Sequence, residues 1–360
     1  MIRAAIVGAT GIVGQQFIVA LYKHPWIKVT ALAASERSAG KIYKDSITDP
    51  KTAAFRWYCN EPCDPDVLGL PVQNAQDLDT SDLDLIFSAV ESDQALILEP
   101  RFATAKPVIS TASAFRYEKD VPILIPGVNN AQISLLRRQQ KSRVWKGFIT
   151  PNPNCTTTGM AITLKPILDA FGIKLVIMTS LQAVSGAGRS PGVIALDITD
   201  NVIPHIAGEE EKVQRETQKI LGRVSGNIVE SADFPVSCTC TRVNVLEGHT
   251  EAVFISTEKP CQPEEVAKVM VEFNPLKNLR LPSAPAQMIT VNTDPFRPQP
   301  RLDRNTEDGM STTVGRIRKD TALENGIKYV LVSHNTKMGA AKGATLTAEL
   351  LIKEGYITQG

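Results

Sequence analysis

The chain has 360 residues, is 43% hydrophobic and 21% charged, and carries a formal net charge of +1 at pH 7. That length and composition fit two well-packed domains. The even scatter of Lys and Arg argues against a nucleic-acid partner, which needs clustered basic residues, and no apolar run reaches the roughly 18 residues of a membrane helix. Six spread-out cysteines form neither a disulfide framework nor paired C-x-x-C hooks. The opening MIRAAIVGATGIVG reads as strand and turn rather than a cleavable leader. A reducing, cytoplasmic setting and no metal site are therefore expected.

Residues 2–7, IRAAIV, form a strand pattern, and GATGIVG leads from it into the helical pattern QQFIVALYKH. Strand, glycine loop and helix in that order mark a dinucleotide site. Gly8 suits the tight turn, Gly11 admits phosphate oxygens, and Gly14 lets helix and strand pack closely; Thr10, Ile12 and Val13 complete the expected cofactor contacts in this loop. His24, in the loop after the helix, is expected at the surface. The next strand, KVTALAAS (28–35), runs into SERSAGK, where an NAD site would offer an acid to the ribose. Ser35, Arg37, Ser38 and Lys41 instead suit a 2′-phosphate, with Glu36 the one dissenting charge, so NADP(H) is the expected cofactor. Strand patterns LDLIFSAV (83–90) and KPVISTAS (106–113) continue a parallel sheet, with Ser88, Ala89 and Val90 at the cofactor edge or in a plain loop. LLRRQQKSRVWK (135–146) reads as a solvated helix face.

Cys155 stands in NPNCTTTGM, and apolar residues then recur at Met160, Leu164, Ile167, Leu168 and Phe171, a helical period that stops at Gly172. The cysteine thus falls at a helix N-terminus, where free amides and the macrodipole favour thiolate over thiol and can hold an oxyanion. Its polar neighbours, Asn152, Asn154 and Thr156 to Thr158, argue against a buried structural thiol. A nucleophilic cysteine beside a nicotinamide site suggests oxidation or reduction of an aldehyde or acyl group through a thioester. Of the later histidines, His249 lies in a turn between two strands, His334 ends a strand as a cleft-lining candidate, and His205 has a structural reading. The period-2 pair Cys238 and Cys240 turns both thiols to one strand face, without further metal ligands nearby.

The ordered set GATGIVG, NPNCTTTGM, LQAVSGAGRSPG, GEEEK, TRVNVLEGH and NTKMGAAKGA resembles aspartate-semialdehyde dehydrogenases of the archaeal and fungal branch, over essentially the whole chain. The resemblance implies Cys155 as nucleophile, His249 as acid/base, and Gln182 as a group orienting substrate. It further implies Glu209 on the substrate amine, Lys212 and Arg116 on phosphate, and Arg242 on the α-carboxylate. Ser185, Gly186, Asn335 and Gly339 are expected at the cofactor. From pattern alone GEEEK is a charged helix surface and SGAG (185–188) a flexible loop. Gly127 and Thr111 stand where the family often has an acid and an Asn, positions given no chemical role.

The implied reaction is NADPH-dependent reduction of 4-aspartyl phosphate to aspartate semialdehyde, serving lysine, threonine, methionine and isoleucine synthesis. Related reductases acting on malonyl-CoA or N-acetyl-glutamyl phosphate are the alternative. The expected fold is α/β: a Rossmann-type dinucleotide domain over residues 1–134, completed by a C-terminal helix within 335–360, and an α+β substrate and dimerisation domain over 135–334. A homodimer or homotetramer is expected, with the Pro-rich loop 292–304 reaching a neighbouring subunit.

Overall fold

The computed structural model describes residues 1–187 and 195–360. Two sheets organise it. The first is parallel throughout and takes β1 (Ile2–Val7), β2 (Ile27–Ala34), β3 (Val72–Asn74), β4 (Leu85–Ser88), β5 (Val108–Ser110) and β6 (Ile149–Pro151) in the order β3-β2-β1-β4-β5-β6. That order puts the reversal of winding between β1 and β4, and in such sheets ligands bind in the crevice beyond the carboxyl ends of the strands. The sheet's strands are near-continuous apolar runs because both faces are covered; Phe17 of helix α1 (Ile12–Ala20) meets Phe87 of β4 with ring centroids 4.7 Å apart. Burying each ring stabilises by roughly 1.5–3 kcal/mol.

Strands anticipated over 83–90 and 106–113 shorten to β4 and β5, since their polar ends leave the sheet as loops. The sixth strand, β6, lies beyond the boundary expected near residue 134; three residues carry no readable periodicity. The basic stretch forms α3 (Ser134–Arg143), after α2 (Ser92–Ala103). His24 is buried rather than at the surface: Nε2 lies 2.9 Å from Glu349 Oε1, and Nδ1 accepts from the amides of Trp26 and Ile27. Glu349 belongs to the last helix, α7 (Lys342–Lys353), which packs against α1 and β5, so this pair ties the chain's final helix to the first sheet.

The second sheet is mixed. It takes β7 (Leu175–Gln182), β8 (Val202–Ile203), β11 (Val236–Val243), β12 (His249–Ser256), β13 (Ile289–Asn292), β14 (Thr312–Asp320) and β15 (Gly326–Ser333) in the order β13-β14-β15-β12-β7-β11-β8. A separate hairpin joins β9 (Arg223–Ser225) and β10 (Ile228–Glu230). Helices α4 (Cys155–Phe171), α5 (Glu209–Ile220) and α6 (Pro263–Glu272) complete this half, and α4 packs on β12, β14 and β15. Gly172, at φ 69°, ends α4 in a conformation that favours glycine. Alternation along the central strands sends Met178, Ser180, Gln182, Cys238, Cys240, Arg242, His249 and Glu251 to the covered face. Ile177 and Leu181 point the other way and are 41% and 40% exposed. Because β11 runs parallel to β7, with Arg242 beside Gln182, and β12 starts alongside their ends, the two basic groups meet at one end of the sheet.

Candidate active site

Cys155 is the first residue of α4 and lies half-buried on a cleft of about 690 Å³ between the two sheets. Asn154 caps the helix: its Oδ1 accepts from the amides of Thr156 at 2.9 Å and Thr157 at 3.3 Å. Two of the amides expected to hold an oxyanion are thereby already engaged. Nor does the helix terminus alone make the sulfur a thiolate. Burial, then the Glu209 carboxylate, push its pKa up to about 12, against the pull of Arg242, Arg116 and the Thr156 amide. These surroundings favour the thiol over the thiolate.

His249 faces that thiol, with Nε2 3.1 Å from Sγ. Its other nitrogen, Nδ1, accepts from the backbone amide of Ala183 at 3.1 Å, while the carbonyl of Ala183 accepts from Arg242 Nη1 at 2.8 Å. One peptide residue after β7 therefore orients both side chains. Burial foremost, then Arg242 and His334, lower the His249 pKa to about 3. Glu251, two residues on along the same face, is fully buried with neither carboxyl oxygen bonded among the described residues. Burial holds its pKa well above the usual range, so it offers no negative charge to the imidazole. Gly186 covers the pair; a Cβ there would stand 3.0 Å from Arg242 Nη1 and 3.1 Å from the His249 ring.

The remaining charges come from α5 and the loop after β5. Glu209, 7% exposed at the start of α5, accepts from Asn154 Nδ2 at 2.8 Å, and Lys212 lies one turn on at the cleft wall. Arg116 reaches the same cleft, but its fork is partly engaged: Nη1 pairs with Glu216 at 2.9 Å and Nη2 donates to the Thr111 carbonyl. Glu216, fully buried, also accepts from the Asn154 amide at 2.6 Å. Sequence reasoning missed Glu216. The available signal was its spacing of seven from Glu209, two turns that place both acids on the face of α5 turned toward α4.

Four expectations change. Gln182 is 1% exposed and shares the covered face with its register partner Arg242, but its amide is drawn back along β7 to donate to Ser180 Oγ at 3.3 Å, and it does not line the cleft. Ser88 is fully buried at the end of β4, and its neighbours Ala89 and Val90 line the cleft instead. His334 is 1% exposed and lies behind the wall near Thr336 and Glu247, whereas exposed His205 lines the cleft.

The groove at the carboxyl edge of the first sheet suits a dinucleotide. Gly8 has φ 85°, and a Cβ on it would meet the Ala89 carbonyl oxygen at 2.5 Å; a Cβ on Gly14 would meet Gly8 O at 2.3 Å. Thr10 and Gly11 shape the turn, and Ile12 and Val13 line the cleft, as do Ser185, Gly186, Asn335 and Gly339. Ser35 and Arg37 are exposed and Ser38 half-buried just past β2, outside the walls of the cleft itself. Asn335 is committed on both sides: Oδ1 accepts from the Gly248 amide at 2.9 Å and Nδ2 donates to Ser185 Oγ at 2.8 Å. Gly339 backs directly onto Cys155, since a Cβ there would lie 2.9 Å from that of the cysteine. Gly188, last of the SGAG loop, and the rest of the segment through 194 fall outside the described residues.

Two family models match the chain. "Semialdehyde dehydrogenase, NAD binding domain" matches residues 3–136, and "Semialdehyde dehydrogenase, dimerisation domain" matches 164–338. An aspartate-semialdehyde dehydrogenase of Archaeoglobus fulgidus is 47% identical over 98% of each chain, and one of Candida albicans is 41% identical over 99% of each. A crystal structure of the Candida albicans enzyme with NADP superposes at a TM-score of 0.89, at 38% identity over 99% of this chain and 100% of that one. A Vibrio cholerae aspartate semialdehyde dehydrogenase II complexed with ASA gives 0.77 at 28% identity, covering 98% and 99%.

Proposed function

The chain belongs to the aspartate-semialdehyde dehydrogenase family, in its archaeal and fungal branch, and from that premise we propose that Cys155 carries the acyl group as a thioester during NADPH-dependent reduction of 4-aspartyl phosphate. The observation that carries this reading is the Sγ to His249 Nε2 contact of 3.1 Å at the head of α4, where Cys155 lines a cleft that also presents Arg242, Glu209, Lys212 and Arg116 and His249 backs it from the buried side. One carboxylate and three cations complement a substrate bearing an amine, a carboxylate and a phosphate.

In this reading Arg242 holds the α-carboxylate, Glu209 the amine, and Lys212 with Arg116 the phosphate. The thiol adds to the acyl carbon and phosphate departs. Bound in the glycine groove, the dinucleotide supplies the hydride. His249 faces the carbonyl oxygen and Gly186 keeps the space above both basic side chains clear. Ser35, Arg37 and Ser38 recognise the 2′-phosphate and give NADP its advantage over NAD. Gln182 positions Ser180 and the wall behind His249 and does not touch substrate. The test is phosphate-dependent NADP reduction with aspartate semialdehyde, run against NAD and against the one-carbon-longer aldehyde. Reduction that needs no phosphate, or that prefers the longer aldehyde, contradicts the reading.

The cofactor unit takes residues 1–134 with 335–360, extended by β6 at Ile149–Pro151, and the rest of 135–334 makes the catalytic and dimerisation unit. The subunits associate through the outer face of the second sheet, where Ile177 and Leu181 stand exposed and Ala252, Phe254 and Val330 half-exposed. Among the described residues no helix is long and apolar enough to cross a membrane; cytoplasmic residence accords with a reductase carrying six free thiols.

A further inference from the structure

Lys219, near the end of α5, is 9% exposed, and its Nζ donates to the main-chain carbonyls of Arg116 and Glu118, each at 2.7 Å. Taking an ammonium out of water is costly unless its hydrogens are well placed. Burial lowers its pKa to about 8, although Asp120, Glu118 and Glu216 lie near. The effect of keeping a charge there is to fix two carbonyls of one turn. We propose that Lys219 is a positioning residue for the phosphate subsite: it pins the main chain of Arg116 from behind, while Glu216, one helical turn earlier on the same face of α5, holds the guanidinium. The proposal rests on the reading of Arg116 as a group that meets phosphate.

The Arg116 fork is only partly committed. Nη1 pairs with Glu216 Oε1 at 2.9 Å and Nη2 donates to the Thr111 carbonyl at 3.0 Å, while Nε is buried with no partner among the described residues. A guanidinium carries more N–H donors than these bonds use, and a phosphate can take the remainder in parallel. A long side chain does not by itself fix where those hydrogens point. Anchoring it at both the root and the fork removes that freedom before phosphate arrives.

The neighbouring residues fasten to the same helix. The Arg215 guanidinium lies 4.0 Å over the Tyr117 ring, and Tyr117 Oη stands 3.5 Å from Glu216 Oε1. Gln132 Nε2 donates to the carbonyls of Lys219 and Ile220, which holds the end of α5 against the first half of the chain. The head of α5 carries Glu209 and Lys212. One helix therefore aligns the turn bearing Arg116 with the substrate groups of the second half. A shift of that turn alters the phosphate wall and leaves the glycine groove as it is.

The test is phosphate-dependent NADP reduction with aspartate semialdehyde by K219M, R116Q and the double variant. K219M should raise the KM for phosphate about tenfold, with the KM for aspartate semialdehyde and for NADP held within about twofold. In the R116Q background the same substitution should raise the phosphate KM by no more than about twofold, because its effect passes through Arg116. An unchanged phosphate KM in K219M, a parallel rise in all three Michaelis constants, or the same factor with and without Arg116 overturns the proposal. K219Q, shorter but still a donor, runs the same cycle should K219M fail to fold. A phosphate KM that R116Q itself leaves unchanged identifies a failure of the phosphate reading, and the proposal falls with it.

Discussion

The first sheet meets its cofactor groove with glycines, where an added Cβ on Gly8 or Gly14 would strike backbone oxygen at 2.5 or 2.3 Å, and with exposed side chains such as Arg37. In the proposed reaction the second half meets substrate with Arg242, Glu209 and His249, none more than 7% exposed. One site works by leaving space, so its contacts act locally. The other works by burying charge, and each buried charge needs a partner behind it. Substitutions behind the second site should therefore reach its front, and substitutions at the rim of the first should not.

The sharpest break is at the nucleophile: C155S should abolish turnover, by on the order of 10³-fold or more, while NADPH affinity, measured by fluorescence titration, stays within about twofold because the groove lies on the other sheet. Next comes E216Q, which touches no substrate but weakens the hold on Arg116 and the Asn154 amide. Charged hydrogen bonds of this kind are worth about 1.5–3 kcal/mol, so kcat/KM should fall about tenfold or more, with the KM for phosphate rising. An unchanged phosphate KM would uncouple the two layers. R37A is the opposite case. It should erode the preference for NADP over NAD by about tenfold and leave kcat at saturating cofactor as it was; a large kcat effect would deny that the groove acts locally.

A last effect falls on acid stability rather than on turnover. His249 and His334 are both held near a pKa of about 3, mainly by burial, far below the roughly 6.5 of an unfolded histidine. Below about pH 6.5 the unfolded chain takes up protons that the native one refuses, so this contribution is complete above that pH and is lost as pH falls toward 3. Melting temperatures recorded down the pH scale should drop more steeply for the parent chain than for H334Q.

The same contrast decides what could be read from the sequence. The glycine turn, the strand before it and the helical period after Cys155 are local patterns, and they appear in the fold as β1, α1 and α4. The Cys155 to His249 contact spans 94 residues, and the ordered motifs that resembled a family supplied it before any geometry did. What stayed hidden was settled by partners far away. Glu216 gains its place from Arg116, 100 positions earlier, and from the Asn154 amide, 62 earlier. His24 looks like a loop residue until Glu349, 325 positions on, reaches it. Residue type at a helix start predicted a thiolate, whereas the surrounding burial and Glu209 favour the thiol. Gln182 and Ser88 carry the right chemistry, but the Ser180 hydroxyl draws Gln182 back along β7 and the depth of β4 buries Ser88, so neither lines the cleft.

Gly339 comes from the short segment Lys337–Ala341, on the order of 180 residues further along the chain, yet it forms the wall against Cys155. A folding copy thus carries an uncovered sulfur until this distant segment docks. During that interval the sulfur is open to oxidants and alkylating agents, and the rate at which a thiol-specific dye loses access to residue 155 would time the docking.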